Sequence, residues 1–122
     1  MSGPMVRAIR GATTTDDDIQ AEIKDATIEL LREVLSRNLL TAEDLISILF
    51  TATPDLVSDF PAVGAREIGL SGVPLMCAQE IPVNGAMVRC IRVLVHCYVP
   101  EHRAIRHVYL RNARQLRLDL AE

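Results

Sequence analysis

The segment Met87–Tyr98 (MVRCIRVLVHCY) reads as a buried strand, yet Arg92 stands at its centre among Ile91, Val93, Leu94 and Val95. An arginine does not give up its charge, and a buried charge without a partner costs several kcal/mol, comparable with a domain's whole stability. The spacing therefore predicts an anion against that guanidinium, supplied by the protein or by a ligand. Arg10, in Ile9-Arg10-Gly11-Ala12-Thr13-Thr14, repeats the arrangement near the N-terminus. Two isolated arginines in apolar strands suggest a pocket for a small carboxylate compound.

Other reactive residue types are present, but their spacing carries less. Cys90, His96, Cys97, His102 and His107 are close in sequence but match no zinc template, and Cys90 and Cys97 have opposite parity on a strand. No third group orients a Cys–His nucleophilic pair. The glycines form no phosphate-cradling loop. Taken singly, Arg92 fits a structural ion pair as well as a ligand contact. Glu80 fits a solvated acid closing a strand, Cys77 a small core residue, and Tyr109 a half-buried packing residue. Cys77 and Glu80, three apart, fall on opposite faces of a strand unless a bulge or strand end intervenes near Ala78.

These residues sit in a chain of 122 amino acids, enough for one domain with a real core. Apolar residues make up 49% and charged residues 24%, a composition that argues against disorder. A net charge of −3, two Phe, two Tyr and no Trp leave neither a basic track nor stacking platforms for nucleic acid. No apolar run approaches the ~20 residues of a membrane span, and the N-terminal MSGPMVRAIRG has no apolar signal core. Three cysteines, odd in number and set in apolar runs, point to a reducing cytoplasm.

The elements that must position the arginines follow from periodicity. Residues 1–5 read as a loose leader and Val6–Thr13 as a first strand. Thr15 with Asp16–Asp18 offers an N-cap and an acidic first turn. Ile19, Ile23, Ala26, Leu30, Leu31, Val34 and Leu35 then keep helical spacing until Asn38. Thr41–Asp44 reads as a capped turn and Leu45–Thr53 as a second strand. A short helix follows, capped by Ser58 or Asp59, with Pro61 in its first turn and Gly69 at its end. Val73–Glu80 is a third strand, joined through an Asn84-Gly85 hairpin to Val88–Tyr98. Pro100–Ala104 is a turn, Arg106–Leu110 a last short strand, and Arg111–Gln115 a helical turn within a mobile tail, 111–122.

The order β-α-β-α-β-β-β predicts an α+β fold, a small mixed sheet with helices on one face. Both faces of Val88–Tyr98 are apolar, which implies a partner subunit and an oligomer whose sheets pack together.

Six segments, taken in order, carry a family resemblance. They are Ile9–Thr14 (IRGATT), Thr51–Leu56 (TATPDL), Phe60-Pro61-Ala62 with Arg66-Glu67, Cys77 with Gln79-Glu80, Cys90-Ile91-Arg92-Val93, and Arg106–Leu110 (RHVYL). Together they resemble the monofunctional chorismate mutases of mixed α/β class, over nearly the whole chain from Val6 to Asp119. The resemblance implies a homotrimer, ferredoxin-like in its fold relations, with its sheets packed at the centre and active sites in the clefts between subunits. It implies the Claisen rearrangement of chorismate, a dianion, to prephenate in aromatic amino-acid biosynthesis, with no cofactor and no metal.

Carried over residue by residue, it sets Arg92 at the ether oxygen and a nearby carboxylate, and Arg10 at a substrate carboxylate. Glu80 and Cys77 face the ring hydroxyl, Tyr109 hydrogen-bonds a carboxylate, and Phe60 supplies an apolar wall. Ala62 and Met76 belong with the substrate-binding residues, and Arg66 and Arg117 lie at the rim, where a mobile tail encloses the ligand. Val63 and Met76 stand where the family commonly has Lys and Thr, and Leu118 follows Arg117 where Pro is usual. Two other readings stay open on sequence: an enamine/imine deaminase on a similar trimeric scaffold, which also holds a carboxylate with Arg, and a non-catalytic ligand-sensing trimer.

Overall fold

A computed structural model describes residues 3–117. Five strands and two helices follow in the order β1 (Pro4–Thr14), α1 (Gln20–Arg37), β2 (Leu45–Ala52), α2 (Ala62–Glu67), β3 (Leu75–Gln79), β4 (Cys90–Pro100) and β5 (Val108–Tyr109), with 3₁₀ turns at Ala42–Asp44 and Arg111–Arg117. The expected element order is therefore present. Pro4 and Met5, assigned to a leader, instead open β1, opposite Pro100 and Val99 of β4.

The sheet runs β3-β2-β4-β1-β5. β4 is antiparallel to both β1 and β2, whereas β3 is parallel to β2 and β5 parallel to β1. The expected hairpin between the third and fourth strands does not form. Asn84-Gly85 does make a turn, with Gly85 at φ +82° and the Ala86 N–H bonded to the Val83 carbonyl at 3.1 Å, but β2 stands between β3 and β4. A strand–helix–strand crossover such as β2–α2–β3 yields a parallel pair, and this non-local pairing claims the edge that a hairpin would use.

Both helices lie on one sheet face. Leu30, Leu31 and Val34 of α1 and Ala62 and Ala65 of α2 pack on Ile9, Ile48, Phe50, Val93, Val95 and Val99 in one core. Gly11 lets α1 approach this closely: a Cβ there would stand 2.9 Å from Val93 Cγ2 and 3.1 Å from Leu30 Cδ1. Among the described residues, the opposite face carries no helix. Val6, Arg10, Arg92 and Tyr98 are exposed on it and Leu94 and His96 half-buried. At its β5 end the 3₁₀ turn covers it, packing Ala113 against Ala12 and Tyr109.

The acidic run before α1 does not cap it as expected. The N-cap is Ile19, with no side-chain cap bond, and Glu22 reaches back to the N–H groups of Asp16 and Asp17, each at 3.2 Å. Asp18 Oδ1 instead accepts the N–H groups of Val57 and Ser58, each at 3.0 Å, and so ties down the loop that leads to Phe60. Ser58 and Asp59 do not cap α2 either, because Ser58 Oγ donates to the Asp18 carbonyl and Asp59 Oδ1 accepts the Phe60 N–H. Four residues, Asp16 to Ile19, stand between Thr15 and the helix, so Asp18 serves the loop rather than the helix end.

Candidate active site

Arg92 is not buried. Strand alternation sends Ile91, Val93, Val95 and Cys97 into the core and leaves Arg92 on the helix-free face, its side chain 46% exposed. The expected anion is present and comes from this chain. Glu80 Oε2 accepts Arg92 Nε at 3.0 Å, and Glu80 Oε1 lies 3.0 Å from Arg92 Nη2, a bidentate fork with Glu80 only 14% exposed. The Glu80 backbone N–H donates to the Ala52 carbonyl at 2.9 Å, which fixes the residue just past the end of β3. Thr51 Oγ1 donates to Glu80 Oε2 at 2.7 Å.

The register places the other candidates around this pair. Thr51, Arg92, Ala12 and Tyr109 are successive partners across β2, β4, β1 and β5. Arg10 pairs with Leu94, one diagonal step from Arg92 on the same exposed face, such neighbours standing about 7–8 Å apart, within reach of long side chains. Its backbone N–H donates to His107 Nδ1 at 2.9 Å, tying β1 to the segment that leads into β5. Tyr109 is 8% exposed beneath the 3₁₀ turn.

Cys77 is on the other face. It pairs with Phe50 of the core and lines a cleft of about 490 Å³ with Phe60, Pro61, Leu56 and Thr53. The strand end after Gln79 does not bring Cys77 round to Glu80. The two lie on opposite sheet faces, as their spacing of three dictates. Phe60 is 66% exposed at this cleft, Ala62 is buried in the first turn of α2, and Arg66 is exposed in its last turn. Met76, 68% exposed, pairs with Leu49 on the Arg92 face of the edge strand. The Arg117 side chain lies outside the described residues. One chain thus carries the candidate residues in two separate places: Arg10, Arg92 and Glu80 on the open face, and Cys77 and Phe60 at a cleft on the helix side.

Two contributors were not singled out by sequence reasoning. Thr51 is one; its signal was its parity on β2, opposite to that of Phe50. The other is a clasp at the start of β4. Arg89 has a left-handed φ of +46°, and its N–H is held by Asp55 Oδ2 at 2.9 Å and Oδ1 at 3.2 Å. Thr53 Oγ1 donates to Asp55 and accepts the Cys90 N–H at 3.0 Å. Burial pushes the Asp55 carboxyl up, but the Thr53 hydroxyl, the Arg89 N–H and the Arg89 charge together hold it below its ordinary value of 3.8. Burial also drives the Cys90 thiol up to about 11 and raises that of Cys97, so neither supplies a thiolate nucleophile near neutral pH.

Comparison with known proteins agrees with this architecture. The family model for type I chorismate mutase matches residues 6–120. The chorismate mutase AroH of Thermus thermophilus is 49% identical over 119 residues, covering 95% of this chain and 97% of the relative. That of Bacillus subtilis is 44% identical over 120 residues, covering 96% and 94%. A solved chorismate mutase from Clostridium thermocellum superposes with a TM-score of 0.86 at 44% identity, covering 89% of this chain and 98% of that one. By full-length similarity and by fold, this chain belongs to the type I chorismate mutase family.

Proposed function

We propose that this protein rearranges chorismate to prephenate by electrostatic stabilisation and preorganisation, in a site completed between the subunits of a trimer. The observation that carries the reading is Arg92, a permanent cation on an open sheet face, gripped by Glu80 in a bidentate fork and still half exposed. In the transition state the breaking C–O bond puts negative charge on the ether oxygen. A preset guanidinium there stabilises that charge more than it stabilises the ground state, which is what accelerates a reaction. The Glu80 fork leaves Arg92 in one orientation, so little reorganisation remains when the charge develops.

The remaining roles follow from the resemblance and from placement. Arg10, diagonal to Arg92, binds a carboxylate of the dianion and helps draw it in. Tyr109, in the same cross-strand row as Arg92, hydrogen-bonds a carboxylate. Glu80 also faces the ring hydroxyl. Cys77 faces the same hydroxyl from the cleft side, and Phe60 supplies the apolar wall that holds the substrate side chain compact over the ring, an orientation effect. Ala62, in the buried first turn of α2, and Met76, on the Arg92 face, belong with the substrate-binding residues by the resemblance. Arg66 and Arg117 close the rim. The rearrangement is unimolecular and needs no general base.

Two features support assembly. These two places face away from each other within one chain, so a second copy is the simple way to bring a Cys77 cleft against an Arg92 patch. The helix-free face also exposes Val6, Met76 and Tyr98, an apolar surface suited to packing sheet on sheet. The number three comes from the resemblance. Three free thiols, and no helix of the described residues long and apolar enough to cross a membrane, support the cytoplasm as location.

The test is incubation of the purified protein with chorismate, following loss of its ultraviolet absorbance, beside a native mass measurement. Turnover with a trimer mass is expected. Absence of turnover overturns the catalytic reading, and a monomer with full activity overturns the shared site.

A further inference from the structure

We propose that Thr51 is a positioning residue, whose hydroxyl fixes the Glu80 carboxylate and, through it, the Arg92 guanidinium. Its catalytic consequence rests on the function proposed above; its structural consequence does not. Thr51 stands directly opposite Arg92 in the β2–β4 register and on the same face. Its Oγ1 meets Glu80 Oε2 at 2.7 Å, the same oxygen that receives Arg92 Nε at 3.0 Å.

The need for such an anchor follows from the neighbours. Glu80 lies just beyond β3, where a long side chain has wide rotamer freedom. Its fork partner Arg92 is also long, and half exposed. Two flexible side chains that grip only each other are free to swing together. Thr51 is short, β-branched and stiff at χ1, and β2 is hydrogen-bonded on both sides, to β3 and β4. Its hydroxyl therefore joins the mobile pair to the rigid sheet. Glu80 is only 14% exposed, which leaves little room for water to replace that donor. Valine would match the shape of Thr51 and lose only the hydroxyl.

The test compares Thr51→Val and Thr51→Ser with the wild-type protein in two independent measurements. In the first, the Arg92 Nε–H signal, assigned by its loss in Arg92→Lys, is followed by ¹⁵N NMR for its exchange with water. Thr51→Val should exchange several-fold faster and Thr51→Ser should stay near wild type. Equal exchange in all three overturns the proposal, whatever the protein catalyses. In the second, chorismate turnover is measured. Thr51→Val should lower kcat roughly tenfold, the loss expected for one hydrogen bond to a charged group, with KM changed far less. Thr51→Ser should recover most of kcat, and in a Glu80→Ala background Thr51→Val should cost nothing further. An unchanged kcat in Thr51→Val, no rescue by Ser, or a full additional loss in the Glu80→Ala background would each overturn the positioning role. A wild-type protein that does not consume chorismate sinks the functional reading alone, because the exchange measurement still decides the role of Thr51.

Discussion

Arg92 grips Glu80 with both prongs of its fork, Nε on Oε2 and Nη2 on Oε1, each at 3.0 Å, although β2 separates β4, which carries Arg92, from β3, just past whose end Glu80 lies. An acid that neutralised this arginine in a closed core would remove it from chemistry. Here the pair lies at the surface of a sheet face without helices, so the acid orients the cation without enclosing it.

Arg92→Lys should therefore lower kcat by at least about 10²–10³-fold while the fold stays intact. Lys presents a point charge that cannot hold both Glu80 oxygens and a ligand in one plane. Because the side chain is half exposed, the melting temperature should move by only a few degrees. Steady-state kinetics beside circular dichroism checks both halves, and a variant with most of its rate would take Arg92 out of the central role.

Gly11→Ala should destabilise the protein by about 1–3 kcal/mol without touching the site chemistry. The new Cβ would press on Val93 Cγ2, Leu30 Cδ1 and Val34 Cγ2, at 2.9, 3.1 and 3.3 Å, where α1 packs on the sheet. Urea unfolding should show the lower midpoint with an unchanged slope. Wild-type stability would mean that α1 has room to shift.

Asp55 makes acid stability testable. Its folded carboxyl titrates below the unfolded value of 3.8, so its contribution is full at higher pH and is lost as pH falls through the folded value. The stability difference between wild type and Asp55→Asn should be constant near neutrality and shrink below about pH 4. Urea titrations across that range measure it, and a difference independent of pH would show that the Arg89 clasp owes nothing to the carboxylate charge.

The cysteines should react unequally. Cys90 and Cys97 are buried, with thiols raised by burial, whereas Cys77 is half-buried and lines the cleft with Phe60. Iodoacetamide at pH 7.5 should modify Cys77 first, and saturating chorismate should slow that modification. Peptide mass spectrometry reads the order; early labelling of Cys90 would contradict its enclosure.

Much of the frame was present in the sequence as periodicity. The spacing from Ile23 to Val34 specifies the buried stripe of α1, and alternation in Cys90–Pro100 specifies which side chains share a face. Both are local properties of a backbone with a fixed repeat. The Thr41–Asp44 capping box is legible for the same reason, since its partners are three residues apart. The Arg10 and Arg92 segments, with Glu80 between them in the chain, also carried the family signature.

Tertiary structure decided the rest, because it depends on which strand takes which edge. Asn84-Gly85 announces a turn but not its neighbour, and the parallel β2–β3 pair set β2 between the two strands that the turn would have joined. Which face of β4 meets the helices is equally non-local, and it made Arg92 an exposed residue rather than a buried one. Thr51, Glu80 and Arg92 come from three separate segments, and only their side-by-side register turns a hydroxyl, a carboxylate and a guanidinium into one oriented group.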